Sequence, residues 1–524
     1  MKERASATKR GFSPLANVSA VHVFPVIFVA IFLLHGPLLR LPFFWDEAGF
    51  YVPAAYDLVH SHTLIPKTTI DTGHPPLPAA YLASWFAISG WKPVVARIAQ
   101  LLLAAFALTN VFLLARRVAN PQVAFAATIA IAAYPIFFVQ SSLAHADLAA
   151  AAFALWGLRL WFDQRPWPAQ FAFSLAVLSK ETAILTPLAL AAWQAWHPQD
   201  ESGRSRIART ATCLVPLVPL LAWLVFHRIE TGRFFGSSEF FQYNVAQAFN
   251  PLRFLLALAL RLWHLFGTMN MLALTAATLV AMRFPPVQDE EGERRRIPVA
   301  VQLQFLLIIL AQVLAFSLLG GALLTRYLLA AYPLVIIIGM STLRRRILLW
   351  QWPAAVIVIF FVMGLFFDPP YRFAPEDNLT YRDFVKLHVN AARFLEQHEK
   401  GATVLTAWPA TDELTKPYLG YVKIPFQTLS LRDFTVDELM KVRNLQGRYQ
   451  VVYLFSTKYE ASTWFRSALW DRLNRRFFDY HRDLTPQAAT DLLGGRRVYQ
   501  EHYKAEWVEI IEIEPPPAVA TRTP

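Results

Sequence analysis

Four stretches of this sequence, 262–282, 297–325, 327–343 and 347–367, contain no charged residue. Each is near or above the ~20 residues that a helix needs to cross a bilayer. Backbone groups in lipid must be satisfied within the element itself, so runs of this length point to a bundle of membrane helices. Composition agrees: 55% of the 524 residues are hydrophobic and 16% are charged, against about 25% charged in soluble domains. A single cysteine, Cys213, excludes a disulfide scaffold and a cysteine-ligated metal centre.

The formal net charge is +12, which by itself fits nucleic acid, anionic lipid or basic cytoplasmic loops. Its placement decides. Residues 1–367 hold 28 Lys and Arg against 16 Asp and Glu, and residues 368–524 hold 21 of each. The whole excess lies among the apolar runs, so no nucleic-acid partner is expected.

Basic clusters recur between alternate runs: Lys2 to Arg10, Arg116 with Arg117, Arg159 with Arg165, Arg204 to Arg209, Arg283 with Arg294 to Arg296, and Arg344 to Arg346. Read as cytoplasmic, they place the N-terminus inside and give eleven spans, near 20–39, 94–115, 121–139, 147–162, 167–179, 182–196, 211–226, 253–282, 298–319, 327–343 and 347–367. Allowing for short or split segments, the expectation is a mainly α, polytopic membrane protein of about 11 to 13 spans. The first run lacks a small-residue cleavage site and reads as a retained span. Loops at about 41–93, 140–146, 227–252 and 320–326 then face outward, with 76–90 as an interfacial or re-entrant helix.

An odd number of spans puts the tail outside. Residues 1–367 are expected to form the membrane domain, and 368–524 a small α/β extracytoplasmic domain. In the tail, 381–399, 435–444 and 459–475 read as helices, 403–408 and 451–455 as strands, and 507–513 as an edge strand.

Charged groups inside a membrane domain are costly unless paired or hydrated, so they mark candidate sites. Five places on the expected outer side qualify. Asp46 and Glu47 sit in FFWDEAGFY, just past the first span, where a desolvated carboxylate pair suits a general base. His74 precedes two prolines that stiffen its position. Ser141, Ser142, His145 and Asp147 precede an alanine run that favours close helix packing. Lys180 and Glu181 fall between two half-length apolar runs, and Arg326 and Tyr327 between two full ones. Broken helices line cavities and their ends suit anions, so acids, histidines and cations on one face describe a site for an anionic amphiphile and an acid/base reaction.

In their order, DE (Asp46, Glu47), HPPL from His74, Asp147, the Lys180-Glu181 turn and RYLL…P from Arg326 to Pro333, these motifs make residues 1–367 resemble membrane glycosyltransferases of the GT-C fold. The likeness is to bacterial relatives of protein O-mannosyltransferases and of the lipid A aminoarabinose transferase. It implies a polyprenyl-phosphate sugar donor, a catalytic carboxylate in the first outer loop, inversion at the anomeric carbon and a bacterial inner-membrane location. It also implies a protein, glycan or lipid acceptor, with membrane lipid as a partner. On this reading Asp46 is the base, Glu47 or Asp147 positions acceptor or sugar, and Lys180 and Arg326 meet the leaving phosphate. Glu181, Tyr327 and His145 complete the substrate-binding set with His74.

Gly73-His74 stands where the aminoarabinose branch has a charged pair, which argues against that substrate. Some relatives bind a divalent metal ion, which His74 with Asp46 or Asp147 would have to hold. The competing reading is a secondary transporter for an anionic substrate, which often carries inverted repeats; none is visible here.

Overall fold

In a computed structural model of the chain, residues 19–197, 203–238, 250–290, 292–319, 321–443, 445, 447–459, 467–478 and 480–513 are described. The basic cluster at 2–10, residue 320, residues 239–249 of the 227–252 loop and residues 460–466 lie outside them, as do the side chains of residues 203–205 and 443.

The expected apolar segments are helices. Ala20–Leu34, Pro93–Val118, Ala146–Phe162, Pro166–Ser179, Leu185–Trp196, Val299–Leu318, Tyr332–Arg346 and Gln351–Phe366 account for most of them. Several begin with proline as their first residue, where a missing N–H costs nothing. Asn120 and Asn250 cap the helices starting at Pro121 and Pro251 by accepting from backbone N–H groups.

By length and composition, three helices among the described residues can cross a membrane: Pro93–Val118, Arg206–Thr231 and Val299–Leu318. Pro251–Phe266 and Thr268–Ala281, bent by 40°, make a fourth if the pair is one broken span rather than a re-entrant loop; at the break Met269 and Asn270 adopt left-handed backbone. The other helices are shorter, and Leu77–Ser89 is one of them. Leu221, Val225, Leu255, Leu279 and Ile359 are exposed on helix faces, as a protein bathed in lipid requires. The alanines of Ala146–Phe162 are nearly all buried, and Gly157 admits the ring of Phe173 from the next helix.

The C-terminal segment opens with helix Thr380–His398 and contains a five-stranded sheet. A two-residue hairpin, β1 (Gln288–Asp289) and β2 (Gly292–Glu293), precedes it in the chain. The sheet strands are β3 (Thr403–Ala407), β4 (Gln427–Leu431), β5 (Val451–Phe455), β6 (Gly495–Tyr503) and β7 (Glu506–Ile513), in the order β4-β3-β5-β7-β6. β3 is parallel to β4 and β5, while β7 is antiparallel to β5 and β6. The expected edge strand at 507–513 is therefore interior. Its residues Val508, Ile510 and Ile511 are buried together with Glu509, a pattern that alternation of residue types disguised. The helix expected at 459–475 is described over Ala468–Phe477.

One hydrophobic core lies among the helices; a second surrounds the sheet. The second also contains Phe43, Phe44, Ala48 and Val52 from the first loop, Val139 from helix Pro135–Gln140 and Leu143 from the turn that follows it. The acidic loop and the tail are thus packed as one unit.

Candidate active site

The loop after the first helix brings its two acids to different places. Trp45 takes a left-handed conformation, φ 42°, and a π-helical turn, Glu47–Tyr51, follows. Asp46 pairs with Arg326 Nη2, whereas Glu47 pairs with Arg97. Both members of the second pair are fully buried. Glu47 Oε2 accepts from Phe44 N at 2.8 Å and from Arg97 Nη2 at 2.9 Å, and Oε1 accepts from Ala144 N at 2.5 Å. Arg97 also donates to the carbonyls of Pro42 and Ser142. Neither Glu47 oxygen is left for a substrate, contrary to the expected contact with acceptor or sugar. It ties the loop to the 142–144 turn.

Arg326 is a hub. From the short turn Thr325–Leu328 it reaches Asp46, Glu376 (2.6 Å) and Asp147 (3.3 Å). His145 Nδ1 stands 3.3 Å from its Nη1 and 2.8 Å from Gln140 Oε1, so His145 backs the guanidinium. Three carboxylates on one buried guanidinium hold it firmly, so Arg326 is not the uncommitted cation that its sequence position suggested.

Lys180 follows helix Pro166–Ser179 and donates to Asp147 Oδ1 at 2.7 Å, with its ammonium 4.1 Å from the Tyr327 ring centre. Arg261 lies 5.5 Å from that same ring. It is buried and donates to Leu324 O at 2.7 Å, its Nε has no partner, and no carboxylate pairs with it among the described residues. Lys180 and Tyr327 border a cavity of about 360 Å³ that is also lined by Asp147, Thr186, Gln312 and Arg326.

His74 Nδ1 meets Glu181 Oε2 at 2.9 Å. Its segment is pinned: Trp223 Nε1 donates to Gly73 O, His227 pairs with Asp71, and a Cβ on Gly73 would meet the backbone of Gly236. A second cavity, of about 490 Å³, is lined by Tyr51, Asp71, His74, Ala146 and Trp223. The neighbours Ala146 and Asp147 line one cavity each, Ala146 the second and Asp147 the first.

The expected residues therefore divide. Asp46, Asp147, Lys180, Arg326 and Tyr327 converge, with His145 behind them; His74 and Glu181 pair at the neighbouring cavity, and Glu47 is withdrawn. Sequence reading missed Arg97, Arg261 and Glu376. The first two had a signal, as arginines inside apolar helices. The third sits in a tail segment without pattern.

Glu376 and Asp377 form the turn Pro375–Asp377, outside the membrane helices. Burial pushes the Glu376 carboxyl up to about 8 against the pull of Arg326, and Asp46 adds to the rise. Burial likewise lifts Asp377 to about 7, although Thr325 donates to it.

The tail also grips the loop. Trp408 lies 5.0 Å from the Phe50 ring and 5.5 Å from Trp45, while Phe384 lies 5.4 Å from Trp45.

A divalent ion does not fit. Among the described residues no three His, Cys, Asp or Glu side chains are grouped to hold one. His74 faces Glu181, while Asp46 and Asp147 face Arg326.

Residues 73–225 match the family model described as dolichyl-phosphate-mannose-protein mannosyltransferase. No curated protein matches the chain. Among solved structures, ArnT from Cupriavidus metallidurans in the apo state is 15% identical, with a TM-score of 0.53 over 94% of this chain and 98% of that one. The same protein bound to undecaprenyl phosphate gives 15% identity and a TM-score of 0.55 over 94% and 97%. The chain thus has the ArnT fold along nearly its whole length, and its segment 73–225 is similar to the mannosyltransferase family, a combination that resembles the GT-C membrane glycosyltransferases.

Proposed function

We propose that the chain is an inverting glycosyltransferase that moves a hexosyl or pentosyl group from a polyprenyl-phosphate donor to an acceptor hydroxyl of a protein, glycan or lipid. The observation that carries this reading is the cavity holding Lys180, Asp147 and Arg326, with Asp46 on the same guanidinium. The family model and the undecaprenyl phosphate held by ArnT support a lipid phosphate there and favour a transferase over a secondary transporter.

The acceptor oxygen attacks the anomeric carbon, its proton passes to Asp46, and the bond to the phosphate oxygen breaks with its electron pair leaving on the phosphate. One displacement inverts the centre, unlike the two-step retaining route. The leaving phosphate needs positive charge and no proton. Arg326 is committed to carboxylates, so the phosphate falls to Lys180 and Arg261, which flank Tyr327. Arg326 holds Asp46 in place, and Asp147 fixes Lys180.

The membrane part, 1–367, keeps its N-terminus in the cytoplasm of a bacterial inner membrane, and 368–524 lies outside. Cysteine at Ile424, 74% exposed, reports this side, because native Cys213 is buried and silent; protection from an impermeant reagent in spheroplasts overturns the topology. For the reaction, the full chain in nanodiscs is given labelled polyprenyl-phosphate hexose or pentose and an envelope extract as acceptor. Wild type releases polyprenyl phosphate, and Asp46→Asn lowers turnover by about 10²–10⁴-fold while keeping donor affinity. Wild type that consumes neither donor, or a fully active Asp46→Asn, defeats the reading.

A further inference from the structure

The two cations that line the first cavity, Arg326 and Lys180, already face three carboxylates, Asp46, Asp147 and Glu376. With buried Arg261 beside the same Tyr327 ring, three cations balance these three carboxylates, and an entering phosphate gives the cluster a negative excess. Such a cluster relieves the excess by protonating an acid. Geometry selects which one. Asp147 is fixed from both sides, by Lys180 and Arg326, and Asp46 belongs to the packed first loop. Like Asp46, Glu376 has Arg326 as its one donor among the described residues, but it stands on a single short turn of the tail rather than in the packed loop.

We propose that Glu376 is the exchangeable counter-charge of this cavity, taking up a proton when a phosphate enters and ionising against Arg326 when the phosphate leaves. The proposal rests on the lipid-phosphate reading above. The proton comes from solvent and returns to it, and no covalent bond changes. Glu376 is thus a positioning residue that favours departure of the polyprenyl phosphate product by restoring its own ion pair.

The charges facing Glu376 are Arg326, Asp46 and Asp147, with Asp377 beside it and His145 on the same guanidinium nitrogen. Helix Pro135–Gln140, packed against the turn, carries no ionisable residue. The start of Thr380–His398 brings Tyr381 and Asp383, the latter paired with Arg382. The elevated titration of Glu376 in the free site, near 8, confines the exchange to pH near and above 8, because at lower pH the carboxyl already holds its proton.

The test is the binding of undecaprenyl phosphate to the full chain in nanodiscs between pH 6.5 and 9.5. Wild-type affinity falls by up to about tenfold per pH unit above 8, as one-proton linkage requires. Glu376→Gln binds independently of pH in that range, and Glu376→Asp restores the dependence. Wild type alone gives a second answer: calorimetry at pH 8.5 in buffers of different ionisation enthalpy shows net proton uptake, opposite to ionisation of the phosphate itself. Wild-type binding without uptake, or an unchanged pH profile in Glu376→Gln, overturns the proposal and leaves the reaction intact. No wild-type binding at any pH overturns both.

Discussion

Arg97, the fifth residue of helix Pro93–Val118, and Glu47, in the acidic loop, face each other with no solvent contact on either side chain. A buried pair that loses one partner leaves an uncompensated charge, at a cost of about 3–5 kcal/mol. Arg97→Ala is expected to lower the unfolding temperature in detergent sharply, and Glu47→Gln with Arg97→Gln to be milder than Arg97→Ala alone. Single variants as stable as wild type would show that the loop does not depend on this anchor.

Gly49 and Trp408 interlock across the junction of loop and tail, where a Cβ on Gly49 would collide with the indole. Gly49→Ala is expected to cost about 1–3 kcal/mol through overpacking and to lower turnover by moving Asp46. Because the clash needs both side chains, Gly49→Ala added to Trp408→Ala should cost little beyond Trp408→Ala itself. Strict additivity of the two in thermal unfolding and turnover would rule out the interlock.

Arg261 and Arg326 are both buried arginines, with opposite expected consequences. Arg326 satisfies three carboxylates, so Arg326→Met is destabilising. Arg261 has none, so Arg261→Met keeps or raises the unfolding temperature, because an uncompensated buried charge is removed. The same variant is expected to weaken undecaprenyl phosphate binding by roughly 10–100-fold, the loss of a charge-assisted hydrogen bond. Unchanged affinity in Arg261→Met would take the phosphate away from Tyr327 and its two cations.

Much of the site was legible because lipid makes isolated charges conspicuous. Asp46, Asp147, Lys180 and Arg326 each interrupt apolar sequence, and four separate segments bring them together. Which charges would pair was hidden. Asp46 and Glu47 are neighbours with identical local context, and only the left-handed Trp45 and the π-helical turn send one to Arg326 and the other to Arg97. Glu376 belongs to a loop whose composition announces nothing, and its partner is 50 residues away. The fold reads similarly: helix positions follow from apolar runs, while the interior place of β7 depends on β6, which no alternation marked.

Glu506, at the start of β7, is 1% exposed; Ser456 donates to it, and its Oε1 has no partner. Burial pushes its carboxyl up to about 7, so the folded protein retains a proton that the unfolded chain gives up at ordinary carboxylate pH. The sign follows: the folded state binds more protons between about 4.3 and 7, and stability falls as pH rises through that window, by up to about 1.4 kcal/mol per pH unit. Amide exchange at Val508, Ile510 and Ile511 in the full chain measures it, with protection decreasing from pH 5 to 7.5 beyond the intrinsic exchange rate. Glu506→Gln removes the carboxyl and is expected to flatten this dependence. The same slope in that variant would assign it to another group.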